Sequence, residues 1–156
     1  MKLDFKKLIL SFVITWIAGG IGSLFTYPSI GTWYASLNKP PVTPPNWLFG
    51  PMWTVLYTLI SIALYLFWVK SKKLNNIGGR LFMVQIILNL VWSLVFFGAH
   101  SIIGGLVTII FLWFFTLANL IEFKAVDKQA GYLLLPYLAW ITAATVLNLS
   151  IAFYNP

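Results

Sequence analysis

Residues 81–121 read LFMVQIILNLVWSLVFFGAHSIIGGLVTIIFLWFFTLANLI, lie between Arg80 and Glu122, and contain no charge. A membrane-spanning helix needs about 20 apolar residues, so this segment holds two. The break falls at Gly98-Ala99-His100-Ser101, with Gly104-Gly105 just after it. Such a run is a tight turn, and it predicts two antiparallel spans over 81–99 and 102–122.

The other charge-free intervals are 8–38, 40–69 and 129–156. They predict spans over 8–26, 47–69 and 131–153. The whole chain of 156 residues then reads as one all-α membrane domain, a bundle of five transmembrane helices. Composition agrees: 60% of the residues are hydrophobic and 8% charged, against about 25% charged in a soluble domain. Disordered, collagen-like and ordinary soluble-enzyme classes are excluded. Lys2, Lys6 and Lys7 before an apolar run resemble a signal-peptide start, but the run continues through Phe25 and is expected to remain as the first span.

The interval 27–46 is expected to be a loop. It holds Tyr27-Pro28, Gly31 and Asn38-Lys39-Pro40-Pro41, then Pro44-Pro45, and each proline removes a donor and restricts the residue before it. Its aromatics suit a lid folded over the bundle, or an interfacial belt. Nine of the ten basic residues fall in the N-terminal segment, loop 70–80 and loop 123–130, and only Lys39 falls in loop 27–46. The positive-inside rule puts the N-terminus in the cytoplasm, with the long loop and the C-terminus outside. Basic residues that flank apolar runs point to a membrane, not to nucleic acid.

Several chemistries are absent. Without Cys there are no disulfides, thiolate metal sites or thiol nucleophile. No Asp, Glu, Lys or Arg sits at membrane depth, so proton-coupled transport is disfavoured. The single His100 lies at a turn, far from Glu122 and Asp127, so no metal site or Ser–His–acid set can assemble. No cofactor is expected.

The polar residues within the spans fall into stripes. Gln85, Asn89 and Ser93 recur at i, i+4, i+8 and must face the bundle interior, either as interhelical hydrogen bonds or as a polar cavity wall. Trp53 and Tyr57 share one face of the second span; Trp140, Ala144, Leu147 and Asn148 share one of the fifth. Thr15, Gly19 and Ser23, with Ala18 and Gly22, form a small-residue stripe for intrachain packing or dimerisation. Trp53, Trp92 and Trp140 lie inside spans. Several indoles around one cavity would hold a flat aromatic ligand; a packed aromatic core would give the same pattern.

The stretches Gly31-Thr32-Trp33-Tyr34-Ala35-Ser36-Leu37-Asn38-Lys39-Pro40-Pro41 and Pro44-Pro45-Asn46-Trp47-Leu48-Phe49-Gly50-Pro51-Met52-Trp53 resemble the signature of the tryptophan-rich sensory protein family, TspO/MBR. Asn89-Leu90-Val91-Trp92, Phe96-Phe97-Gly98-Ala99 and Pro136-Tyr137-Leu138-Ala139-Trp140 extend the match over almost the whole chain. The resemblance implies a five-helix bundle, often a homodimer. It implies binding of tetrapyrroles such as protoporphyrin IX and of isoquinoline carboxamide and benzodiazepine-type drugs, and light-dependent oxidative degradation of the porphyrin. It places the cavity under the first loop, lined by Tyr34, Pro44, Trp53, Tyr57, Asn89, Trp92, Ser93, Trp140 and Ala144, with Trp53 and Trp140 tied to degradation. Passive tetrapyrrole transport and a ligand-dependent sensor or scaffold are the alternative functions. One departure matters. The animal relatives end in a pattern with a basic residue after Tyr, whereas this chain ends Phe153-Tyr154-Asn155-Pro156, which argues against cholesterol binding. A bacterial plasma membrane is the expected location.

Overall fold

The computed structural model describes residues 3–156; Lys2, counted above among the N-terminal cations, lies outside them. Helix α1 (Phe5–Ile30) is followed by the short α2 (Trp33–Ser36) and by α3 (Asn46–Ser71). Helix α4 (Ile77–Ser93) runs into a π-helical turn, Leu94–Gly98, and then come α5 (Ile102–Val126), α6 (Lys128–Tyr132) and α7 (Leu135–Tyr154). No strand occurs among the described residues. Among the described residues, five helices are long and apolar enough to cross a membrane, the last formed by α6 and α7 together. The protein is an all-α, multi-pass membrane protein.

The helices outrun the charge-free segments. Helix α1 continues through Tyr27 and Pro28, where a loop was expected. Pro28 sits in the last turn, so its missing donor removes a single backbone bond. The loop also contains a helical turn, α2. At the other end α4 starts at Ile77 instead of 81, and α5 continues past Glu122 to Val126. Charged residues end the hydrocarbon-crossing part, but their stems reach the interface while the backbone stays helical.

Caps fix several helix starts. Asp4 accepts from Lys7 N at 3.1 Å, Asn76 from Gly79 N at 2.9 Å and Ser101 from Gly104 N at 3.2 Å, each satisfying an amide that has no helical partner. Ser101 follows His100, whose φ of 54° turns the chain out of the π-helical segment. His is one of the side chains that tolerates this left-handed region.

Helix α1 packs on α3 and α4, α5 on α4 and α7, while α3 meets α7 only lightly. The small-residue stripe of α1 serves this packing. A Cβ at Gly19 would come within 2.6 Å of the Tyr57 ring, and Thr15 shares a hydrogen bond with Ser61 of α3. The basic loops gather at one end, where Lys70 Nζ meets Asp127 Oδ2 at 2.6 Å. Burial disfavours the charged Asp127. The Lys70 hydrogen bond, the amides of Ala130 and Gln129 and the Lys70 charge outweigh that and hold the carboxyl below the usual range.

Candidate functional site, an aromatic cavity beneath the loop helix

The thin seam between α3 and α7 contains a cavity of about 430 Å³, within the range of small-molecule sites. Helix α3 contributes Phe49 and Trp53, α4 and its π turn contribute Trp92, Phe96 and Phe97, and α7 contributes Trp140, Ala144, Leu147, Asn148 and Ile151. Tyr34 of α2 and Pro40, Val42 and Pro44 cover it. Polar groups are few: the Tyr34 hydroxyl, the indole N–H groups, Thr142, Asn148 and Ser150. Ala139, Ala143 and Val146 line the cavity and are also exposed, so it opens sideways between α3 and α7.

Six of the nine residues expected at the site meet here: Tyr34, Pro44, Trp53, Trp92, Trp140 and Ala144. Three do not. Tyr57 and Ser93 line a second cavity of about 280 Å³ between α1 and α3, which shares Phe49 and Trp53 with the first. Asn89 lines neither. Its side chain accepts from Tyr57 Oη at 2.5 Å and donates to Tyr137 Oη at 2.8 Å. Gln85, on the same stripe, accepts from Asn119 Nδ2 at 2.8 Å. For Gln85 and Asn89 the stripe therefore makes interhelical bonds beneath the cavity, and only Ser93 reaches a cavity wall.

The π turn shapes the wall. Ala99 N bonds Leu94 O at 2.8 Å and Ser101 N bonds Val95 O at 3.1 Å, a widened turn of the kind often found at functional sites. It leaves the consecutive Phe96 and Phe97 both buried, with ring centroids 4.9 Å apart and edge to face. Trp92 stacks on Phe96 at 5.7 Å, Trp53 tilts against Trp92 at 6.5 Å, and Trp140 meets Phe49 edge-on at 6.3 Å.

The loop is tied down over the cavity. Lys39 Nζ donates to Tyr34 O at 2.5 Å and Leu37 O at 3.0 Å, and lies 4.8 Å from the Tyr34 ring centroid. Burial lowers the Lys39 pKa, and burial pushes the Tyr34 phenol up to about 12, so the phenol stays protonated at neutral pH. Asn155 grips the far end of the loop, accepting from Asn38 N at 3.0 Å and donating to Asn38 O at 2.9 Å. At the near end Trp33 stacks on His100 at 4.6 Å, and Ser29 Oγ donates to Phe97 O at 2.7 Å. His100 is thus part of the loop's seat.

Phe49, Phe96, Phe97 and Asn148 were missing from the expected site. Phe49 stands four residues before Trp53, Phe96 four after Trp92, and Asn148 four after Ala144, so helical spacing from known members signalled three of them. Phe97 depends on the π turn, which spacing does not show.

Fold and site together define a polytopic helical membrane protein with an aromatic, loop-covered cavity. Residues 11–154 match the TspO/MBR family, and the chain belongs to it. It is 42% identical over 153 residues to the "Tryptophan-rich protein TspO" of Archaeoglobus fulgidus, covering 98% of this chain and 99% of that one. It is 39% identical to "Protein CrtK" of Rhodobacter capsulatus, over 93% of this chain and 90% of that one. The human "Translocator protein" is 35% identical over 82% of this chain and 78% of its own.

Proposed function

We propose that the cavity binds a flat, largely apolar tetrapyrrole such as protoporphyrin IX and promotes its light-dependent oxidative breakdown. The observation that carries this reading is the meeting of three indoles, Trp53, Trp92 and Trp140, with Tyr34 around one covered space of about 430 Å³. Ring faces stack well on indole, and the surrounding Phe and Ala side chains accept an apolar body without a desolvation penalty. Isoquinoline carboxamide and benzodiazepine-type drugs suit the same cavity. A homodimer in a bacterial plasma membrane, with the loop outside, is the accompanying proposal.

The residues divide the work. Trp140 and Ala144 form a shelf on α7, Trp53 and Phe49 form the facing wall, and Tyr34 and Pro44 hold the ring from above. Indole is the most easily oxidised side chain in this chain. A light-excited ring takes one electron from Trp53 or Trp140 and passes it to dioxygen; the indole radical then recovers an electron from the ring. The net result is a porphyrin oxidised and dioxygen reduced, with the indole restored.

Passive tetrapyrrole transport is the second reading, favoured by the sideways opening at Ala139, Ala143 and Val146. It predicts that a lipid-dissolved ligand exchanges with the cavity. The test follows protoporphyrin IX absorbance with purified protein in light and in darkness, beside Trp140→Phe. Loss in light alone, and slower without Trp140, supports photochemistry in the cavity. Equal loss with both proteins contradicts a role for Trp140, and tight binding with no protein-dependent loss favours transport.

A further inference from the structure

Among the described residues, six buried side-chain polar atoms have no hydrogen-bond partner. Gln85 Nε2, Thr116 Oγ1 and Asn119 Oδ1 belong to residues that line neither cavity. The other three, Tyr34 Oη, Trp92 Nε1 and Asn148 Oδ1, all belong to residues that line the larger cavity. These residues are 1%, 5% and 2% exposed, so water outside the bundle does not satisfy them. Burying a polar atom without a partner is costly, and a concentration of three in one otherwise apolar cavity marks where an occupant supplies the missing bonds.

We propose that Asn148, together with Trp92 and Tyr34, reads one polar edge of the occupant, and that this edge both donates and accepts hydrogen bonds. A neutral carboxyl or a carboxamide has that chemistry. The inference rests on the ring-binding reading above and names the part of the ligand that reading leaves open.

The donor–acceptor inventory selects the class. Indole Nε1 can only donate, a carbonyl-type Oδ1 can only accept, and a phenol does either. An ammonium satisfies Asn148 but leaves Trp92 unpaired. A carboxylate satisfies Trp92 and Tyr34 but leaves Asn148 Oδ1 unpaired unless the amide turns over to present its N–H. A protonated carboxyl or a carboxamide that bears an N–H satisfies all three, and an apolar enclosure favours the neutral form of an acid. Position agrees. Trp140, Ala144 and Asn148 recur at i, i+4, i+8 and form one stripe of α7. A ring lying on Trp140 and Ala144 therefore brings its edge to Asn148.

The test measures binding of protoporphyrin IX and of its dimethyl ester in darkness, with the full chain and with Asn148→Leu and Trp92→Phe. The ester keeps the carbonyl acceptors and lacks the acid proton. The wild type is expected to bind the ester about tenfold more weakly than the diacid, a one-hydrogen-bond difference. In Asn148→Leu the gap shrinks to less than about twofold. Ligand-free Asn148→Leu melts no lower than wild type, because Asn148 Oδ1 has no hydrogen bond to lose, and a merely structural Asn148 would lower the melting temperature instead. Trp92→Phe, which removes the donor, weakens both probes alike and keeps the ester gap, and it carries the test if Asn148→Leu does not fold. A gap that is absent in wild type or unchanged in Asn148→Leu, or an ester gap that vanishes in Trp92→Phe, overturns the inference and leaves ring binding intact. Failure of wild type to bind either probe overturns the ring-binding reading as well.

Discussion

The two halves of the bundle use aromatic side chains for opposite purposes. Beside the basic loops, Phe67 and Phe123 stack at 4.1 Å and 3°, with Phe82 at 6.0 Å from Phe123. All three are at most 1% exposed. Beneath α2, Trp53, Trp92, Trp140, Phe49, Phe96 and Phe97 surround an open cavity. What differs is the opposing surface. Gly78 lets Phe67 in so closely that a Cβ there would meet its ring at 2.7 Å. Across the cavity, Ala139, Ala143 and Ala144 of α7 are also small, but no ring from another helix fills the space above them. Aromatic content therefore does not distinguish a sealed core from a framed cavity; the pairing of large with small residues does.

The largest expected effect tests the sealed half. Phe123→Ala should cost about 3–5 kcal/mol of stability, the range for a fully buried Phe, read as a large fall in melting temperature. Trp140→Phe, on the cavity side, should cost under about 1 kcal/mol, since the cavity already leaves that ring partly unpacked. Equal losses would show that the two halves are packed alike.

A smaller effect is expected at Asp127, which is buried and ties α3 to the start of α6. Asp127→Asn should cost about 1–2 kcal/mol by weakening the cap on Gln129 and Ala130 and removing the Lys70 pair. Its carboxyl pKa is lowered in the folded protein. The contribution is therefore complete above the unfolded value near 4 and is lost as pH falls through the folded value. Melting temperatures measured from pH 6 downward should drop below about pH 4 in wild type. Asp127→Asn should show a flatter profile there.

The smallest effect is expected at the loop that covers the cavity. Asn155→Ala removes the two bonds to Asn38 and should speed ligand dissociation about threefold, with little change in melting temperature. A stopped-flow chase of bound protoporphyrin reads it. An unchanged dissociation rate would show that the loop's grip on α7 does not hold the ligand in.

The class of fold was legible because charge spacing and span length are one-dimensional properties. The interval 81–121 alone fixed two helices and their turn. Helix ends were less legible, since a charge marks the edge of the hydrocarbon and not the end of the backbone helix, as Glu122 inside α5 shows. The tryptophans of the cavity were readable from helical stripes. Asn89 lies outside the cavity lining, and the stripe could not show this because it gives a face but not its neighbour: Tyr57 and Tyr137 close around the amide. Phe97 was hidden by the π turn, and the Asn155 clasp by its separation of 117 residues from Asn38.

Titration of protoporphyrin IX in darkness, followed by quenching of Trp fluorescence, with wild type and Ala144→Phe, tests whether the ring sits in this cavity. The added ring fills the shelf beside Trp140 without touching the sealed half. Saturable quenching in wild type, with affinity at least about tenfold weaker in Ala144→Phe and an unchanged melting temperature, is the predicted result. Equal affinity in the two proteins would place the ligand elsewhere and contradict the account.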